Sequence, residues 1–163
     1  MIPCPCGSLT TYLSCCGLYI SEQDTAKTPE TLMRSRYTAY SQSNMAYIKK
    51  TMKGKPLLNF NEIETALWAK KVNWLGLQVL NSYMDELNDK VGFVEFIASY
   101  LEQNKVQTIH ELSEFECIND HWFYTDSHPP KEKTAAPKKI ARNAPCPCGS
   151  QKKFKNCHAM PNK

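Results

Sequence analysis

The chain is 163 residues long, with 42% hydrophobic and 22% charged side chains and a net charge of +4, which suits one ordinary domain with small appendages. No apolar run approaches the roughly 18 residues that a membrane-spanning helix requires, and the opening Met1-Ile2-Pro3-Cys4 has neither the basic nor the apolar region of a signal peptide. A cytoplasmic protein is therefore expected, in a compartment where structural disulfides are uncommon and eight cysteines need another use.

Residues 1–18 carry the first cysteine cluster: Cys4-Pro5-Cys6-Gly7-Ser8, six further residues, then Cys15-Cys16. Pro5 restricts the turn between the first two thiols. Gly7 is free to take a positive φ, which lets backbone N–H groups fold back towards sulfur. A short turn before Cys15 then brings the second pair home. Four thiols at this spacing predict a tetrahedral Zn²⁺ site on Cys4, Cys6, Cys15 and Cys16.

Residues 19–128 read as the core. Thr28 is a good N-cap with Pro29 at the first helical position, and Met33, Tyr37 and Tyr40 then share one helical face. A short helix is expected after Ser43, with Ile48 and Met52 four apart. Glu62 to Lys71 suggests a third helix, with Ile63 and Leu67 on one side. From Trp74 the period shortens: Leu75, Leu77 and Val79 alternate with Gly76 and Gln78. Strand-like runs follow at Val91–Glu102, Val106–Asn119 and His121–Asp126, separated by short polar turns, which predicts an antiparallel meander. Helices followed by about four antiparallel strands make an α+β fold with the helices on one sheet face.

Residues 129–143 contain three prolines and almost nothing to bury, and read as an extended basic linker. Residues 144–163 then repeat the opening pattern: Cys146-Pro147-Cys148-Gly149-Ser150, six residues, Cys157-His158. A second Zn²⁺ site is predicted on Cys146, Cys148, Cys157 and His158. Chance cysteines or disulfide partners have no reason to reproduce the spacing. Residues 129–163 hold nine basic side chains and one acid, Glu132, whereas residues 1–128 hold eleven basic and fifteen acidic ones. The positive charge thus sits on the linker and second cluster, and favours anionic partners.

The copies differ inside the loop. The first has Leu9, Thr10, Thr11, Tyr12, Leu13 and Ser14, so its outer face is expected to be buried on the core as a clip. The second has Lys152, Lys153 and Lys155 around Phe154, so it is expected to be the exposed, partner-seeking module. Those lysines also offset the charge of a three-thiolate, one-histidine zinc site, while the four-thiolate site needs N–H donors instead.

Cys146 to His158, with its basic-aromatic stretch, closely resembles the SEC-C motif at the C-terminus of the protein-export ATPase SecA. There the motif binds zinc and contacts the chaperone SecB and the ribosome, so the resemblance implies a docking module and no reaction. The motor is absent here, since no phosphate-binding G-x4-G-K-[ST] loop occurs. The helices followed by a curled sheet that ends in Asn119-Asp120-His121-Trp122-Phe123-Tyr124 resemble the NTF2-like (cystatin-like) cone. Two SEC-C copies flanking such a core, with Leu32 to Tyr40 on its first long helix, resemble the YchJ family of bacterial proteins.

These readings point to a zinc-binding, non-catalytic adaptor. Its basic C-terminal module would meet a protein or ribosomal partner through Lys152, Lys153, Phe154 and Lys155, with non-specific RNA contact needing only the lysines. The competing reading is a small-molecule-binding or catalytic cone, isomerase- or dehydratase-like. No acid–base dyad stands out for it: Val94, Phe96, Ala98 and Tyr100 face inward and turn Glu95 outward, His110 and His121 read as cross-strand or surface residues, and alternation leaves Glu111 and Asp126 unplaced. Arg34 and Arg36 read as solvated or paired with core acids. A sealed, apolar interior would exclude the enzyme; a pocket with a buried carboxylate beside Tyr or His would revive it.

Overall fold

The computed structural model describes residues 2–130, 140–146 and 152–157. Five helices, α1 (Cys16–Ile20), α2 (Pro29–Ser41), α3 (Met45–Lys50), α4 (Lys55–Leu58) and α5 (Glu62–Lys71), precede four strands, β1 (Asn73–Met84), β2 (Val91–Glu102), β3 (Lys105–Ile118) and β4 (His121–His128). Single 3₁₀ turns lie at Tyr12–Ser14 and Phe154–Asn156. No helix among the described residues is long and apolar enough to cross a membrane.

Side-chain caps explain where the longer helices begin. Thr28 Oγ1 accepts from the Thr31 N–H at 3.1 Å with Pro29 following, Asn44 Oδ1 accepts from Tyr47, and Asn61 Oδ1 accepts from Glu64. Each cap satisfies a donor that the first helical turn leaves unpaired.

The strands form an antiparallel sheet in the order β1-β2-β3-β4. Register shifts at Trp74/Gly76 and Val79/Asn81 in β1, and at Glu114/Phe115 in β3, add the local bends that curl a sheet. Val94, Phe96 and Ala98 are buried on the inner face with Phe115, against Leu32, Met33 and Tyr37 of α2. Burying each of the larger side chains contributes about 2 kcal/mol. The edge strand β4 is covered: Lys53 N–H donates to the Tyr124 carbonyl, and Tyr124 N–H to that of Thr51, which fixes the end of α3 on the sheet.

The packing of α5 and of Phe154 differs from expectation. The helix over Glu62–Lys71 forms, but Ile63 is 75% exposed and Leu67 66% exposed. Trp68 and Ala69 take the inward side instead, because the Trp68 indole meets the rings of Trp74 and Tyr100 edge-on, each at 5.3 Å. The second difference concerns Phe154, expected as a partner-facing aromatic. It is 2% exposed, clustered with Leu101 and Cys146 and flanked by Leu75, Val106 and Ile140. Leu101 and Val106 are cross-strand partners on the sheet face opposite the core, so an apolar ring gains more by covering them than by facing water. The expected 129–143 linker lies largely outside the described residues.

Candidate metal centre and core cavity

The first cysteine pair sits on a tight hairpin. Cys4 N–H donates to the Thr10 carbonyl at 2.9 Å and Gly7 N–H to that of Cys4 at 3.2 Å, and Gly7 adopts a φ of 77°, the left-handed region that glycine occupies without strain. The 3₁₀ turn Tyr12–Ser14 then carries the chain into Cys15 and the start of α1 at Cys16. Gly17 follows because the chain passes close: a Cβ there would lie 2.7 Å from the Tyr12 carbonyl oxygen.

The four Sγ atoms of Cys4, Cys6, Cys15 and Cys16 all lie within 4.8 Å of one another. Cys6 and Cys15 are 3.7 Å apart, Cys15 and Cys16 3.9 Å. Thiolates at about 2.3 Å from one Zn²⁺ would be separated by about 3.8 Å. The donor set and its spacing therefore fit a metal ion, and these four residues would hold it. Ser8 Oγ, 3.2 Å from the Cys15 sulfur, is placed to support it from outside.

The thiols are held in unequal states. Hydrogen bonding from Cys16 chiefly draws the Cys6 thiol down to about 4. That same bond, with burial, pushes Cys16 up, and burial pushes Cys4 up. A buried cluster that favours negative charge on Cys6 and the protonated form on Cys4 and Cys16 is suited to exchanging protons for a cation.

The hairpin is anchored through its cysteines. Cys6 is fully buried, and Cys4, Cys6 and Cys16 belong to the same apolar cluster as Leu32, Tyr37 and Ala39. Leu9 and Leu13, in the loop face expected to be buried, point outward instead, Leu9 at 96% exposure. The sulfur side of the hairpin is the side turned to the core, so the opposite side cannot be.

The second cluster is described in part. Cys146 is buried and Cys157 half-buried, whereas Cys148 and His158 lie outside the described residues. Lys152 and Lys153 are exposed and Lys155 half-buried. The main-chain bonding repeats that of the first cluster. Cys146 N–H donates to Lys152 as Cys4 does to Thr10, Phe154 N–H to Ala144 as Tyr12 does to Ile2, and Cys157 N–H to Phe154 as Cys15 does to Tyr12. The bridge between Pro3 and Thr11 recurs between Pro145 and Lys153.

The cone is not filled. A cavity of about 440 Å³ lies between α2, α5 and the inner sheet face. Phe96 pairs with Glu111 across β2 and β3, so Glu111 shares the inner face. Its Oε1 accepts from Ser113 Oγ at 2.6 Å and from the Tyr124 hydroxyl at 3.1 Å. A carboxylate beside a tyrosine in a pocket is thus present, the carboxylate on a residue that alternation left unplaced. Burial, then Glu111, raises the Tyr124 phenol.

Arg36 also lines the cavity, buried rather than solvated or paired with a core acid, while Arg34 bonds Glu30 at 2.8 Å. On the outer face His110 meets Glu95 at 2.9 Å, a cross-strand pair. Asp126 lies at the surface, paired with Lys55.

The family described as the YchJ middle NTF2-like domain matches residues 28–127, and the SEC-C motif matches residues 142–159. A UPF0225 protein of Geobacter sulfurreducens is 41% identical over 154 residues, covering 94% of this chain and 96% of its own. A UPF0225 protein of Photorhabdus laumondii is 38% identical with the same coverage. Among solved structures, a SEC-C motif containing protein from Rhodopseudomonas palustris superposes with a TM-score of 0.72 at 32% identity, over 80% of this chain and all of its own. Another from Psychrobacter arcticus gives 0.68 at 30% identity, over 98% of this chain and 97% of its own.

Proposed function

The chain belongs to the UPF0225, YchJ-like family, and on that footing we propose that it is a cytoplasmic, two-zinc docking protein without a reaction of its own. The first Zn²⁺ sits on Cys4, Cys6, Cys15 and Cys16, in a second copy of the SEC-C module; the other sits on Cys146, Cys148, Cys157 and His158. The assembled N-terminal sulfurs are the observation that carries the reading. The repeated main-chain bonding supports two copies of one module, and eight cysteines of which seven fall in the two clusters suit metal binding in a reducing compartment. Metal contributes folding energy here, since closed four-ligand sites are structural.

The C-terminal module offers Lys152, Lys153 and Lys155 to an acidic protein face or to ribosomal phosphates, as a docking element of protein-export or chaperone systems would. Phe154 serves inside the chain. The test is capture from cell lysate by the full chain and by a chain lacking residues 129–163, at low and moderate salt. Partners lost with the tail, and weakened as salt screens the lysines, support the reading; the same proteins on both forms sink it. Elemental analysis should give two zinc ions per chain. A ligand-binding cone is the second reading, with the Glu111 cavity in its favour.

A further inference from the structure

The cavity holds polar groups that neither metal cluster uses. Arg36 is 4% exposed and takes part in no ion pair among the described residues. Its Nη1 donates to the Ile48 carbonyl at 2.8 Å and to Thr51 Oγ1 at 2.7 Å. Those bonds fix the guanidinium, with its central carbon 4.8 Å from the centre of the Tyr124 ring. Nε and Nη2 have no hydrogen-bond partner among the described residues. A guanidinium does not discharge when buried, and these donors are not sealed from solvent, so they are open to an acceptor that enters the cavity.

Glu111 supplies the complement. Both its bonds, from Ser113 and from Tyr124, fall on Oε1, which leaves Oε2 as an acceptor. Tyr124 links the two groups, its ring beside Arg36 and its hydroxyl on Glu111, and all three line the same cavity. The charge balance disfavours an anion: Arg36 is the one cation lining the cavity, against Glu111 and Glu64. The walls are flat and aromatic, with Trp68 and Trp74 set edge to face at 5.3 Å. A volume of 440 Å³ lies within the roughly 300–1,000 Å³ of small-molecule sites.

We propose that this cavity binds a small, uncharged, planar ring compound whose edge places a carbonyl oxygen beside a ring N–H. The carbonyl accepts from Arg36, the N–H donates to Glu111, and the ring lies against Trp68 and Trp74. This inference belongs to the cone alone and stands or falls independently of zinc or docking.

The probe is quinolinone, a bicyclic lactam, titrated into the full-length zinc-loaded protein while tryptophan fluorescence is followed. Three comparators dissect the edge: N-methylquinolinone lacks only the donor, naphthalene lacks the edge, and naphthoate replaces it with an anion. Quinolinone should quench saturably, and each comparator should bind about tenfold more weakly or worse. Glu111→Met should weaken quinolinone about tenfold and leave naphthalene unchanged. The N-methyl comparison needs no variant, so it decides the matter even if that variant folds poorly. Equal binding of naphthalene or N-methylquinolinone, tighter binding of naphthoate, or no saturable quenching by quinolinone overturns the proposal.

Discussion

Arg34 reaches back from α2 to donate through Nη1 to the main-chain carbonyl of Cys6 at 3.0 Å, while its Nε and Nη2 hold Glu30 at 2.9 and 2.8 Å. One side chain therefore ties the first cysteine hairpin to the helix that lines the core. Replacing it by Met keeps the apolar stem and removes the charged bond. Arg34→Met should cost about 1–2 kcal/mol, below the full value of a buried charged bond because the site is partly exposed. Thermal melting in zinc-loaded and chelated protein checks this; a loss that appears only with metal bound would locate the bond's value in the assembled hairpin.

Removing one ligand from each cluster should have unequal effects. Cys6 is fully buried in the main core, so Cys6→Ser should lower the melting temperature of the core. Cys148→Ser should release one zinc and leave the core transition nearly unmoved. Zinc content should fall from two to one per chain in each variant. Equal loss of core stability in both would refute the structural role given to the first cluster.

Gly17 meets the Tyr12 carbonyl at close range, with 2.7 Å to an added Cβ. The obstacle is backbone, which cannot swing aside. Gly17→Ala should force the 3₁₀ turn away from Cys15 and destabilise by about 1–3 kcal/mol. Urea unfolding measures the loss, and competition with a colorimetric chelator should show weaker metal retention. Wild-type stability in this variant would mean that the turn and α1 separate freely.

Alkaline pH should weaken the fold through its buried phenols. Burial raises Tyr37, Tyr40, Tyr47 and Tyr124 above the ordinary value of 10. The folded chain keeps those protons while the unfolded chain releases them, so their contribution is complete below about 10 and declines as pH climbs further. Urea midpoints across that range should fall, and Tyr40→Phe should make the fall shallower by one group. A slope unchanged by Tyr40→Phe would show that this phenol ionises alike in both states.

Signals carried by neighbours in sequence were legible. The duplicated cysteine spacing marked the four thiols that the fold brings together, the Thr28-Pro29 start marked α2, and the alternation of Val94, Phe96 and Ala98 marked the inner face of β2. Each rests on caps, turns and periods set within a few residues. Ile63 and Leu67 show where that reach ends. Four-residue spacing identified a face of α5, but aromatic contact with Trp74 and Tyr100, from strands β1 and β2, decided which face turned inward.

The cavity lay beyond the sequence for the same reason. Arg36, Glu111 and Tyr124 come from a helix and two strands, and β3 carries polar residues on both faces, so alternation could not orient Glu111. Pairing with Phe96 across the sheet did. Likewise the repeated motif predicted two like modules, and only the tertiary structure turned the sulfurs of one towards the core and seated Phe154 of the other over Leu101. Ligand identity and spacing are local properties of the chain; burial is a contest among distant surfaces for the same apolar area, and it is resolved only when those surfaces meet.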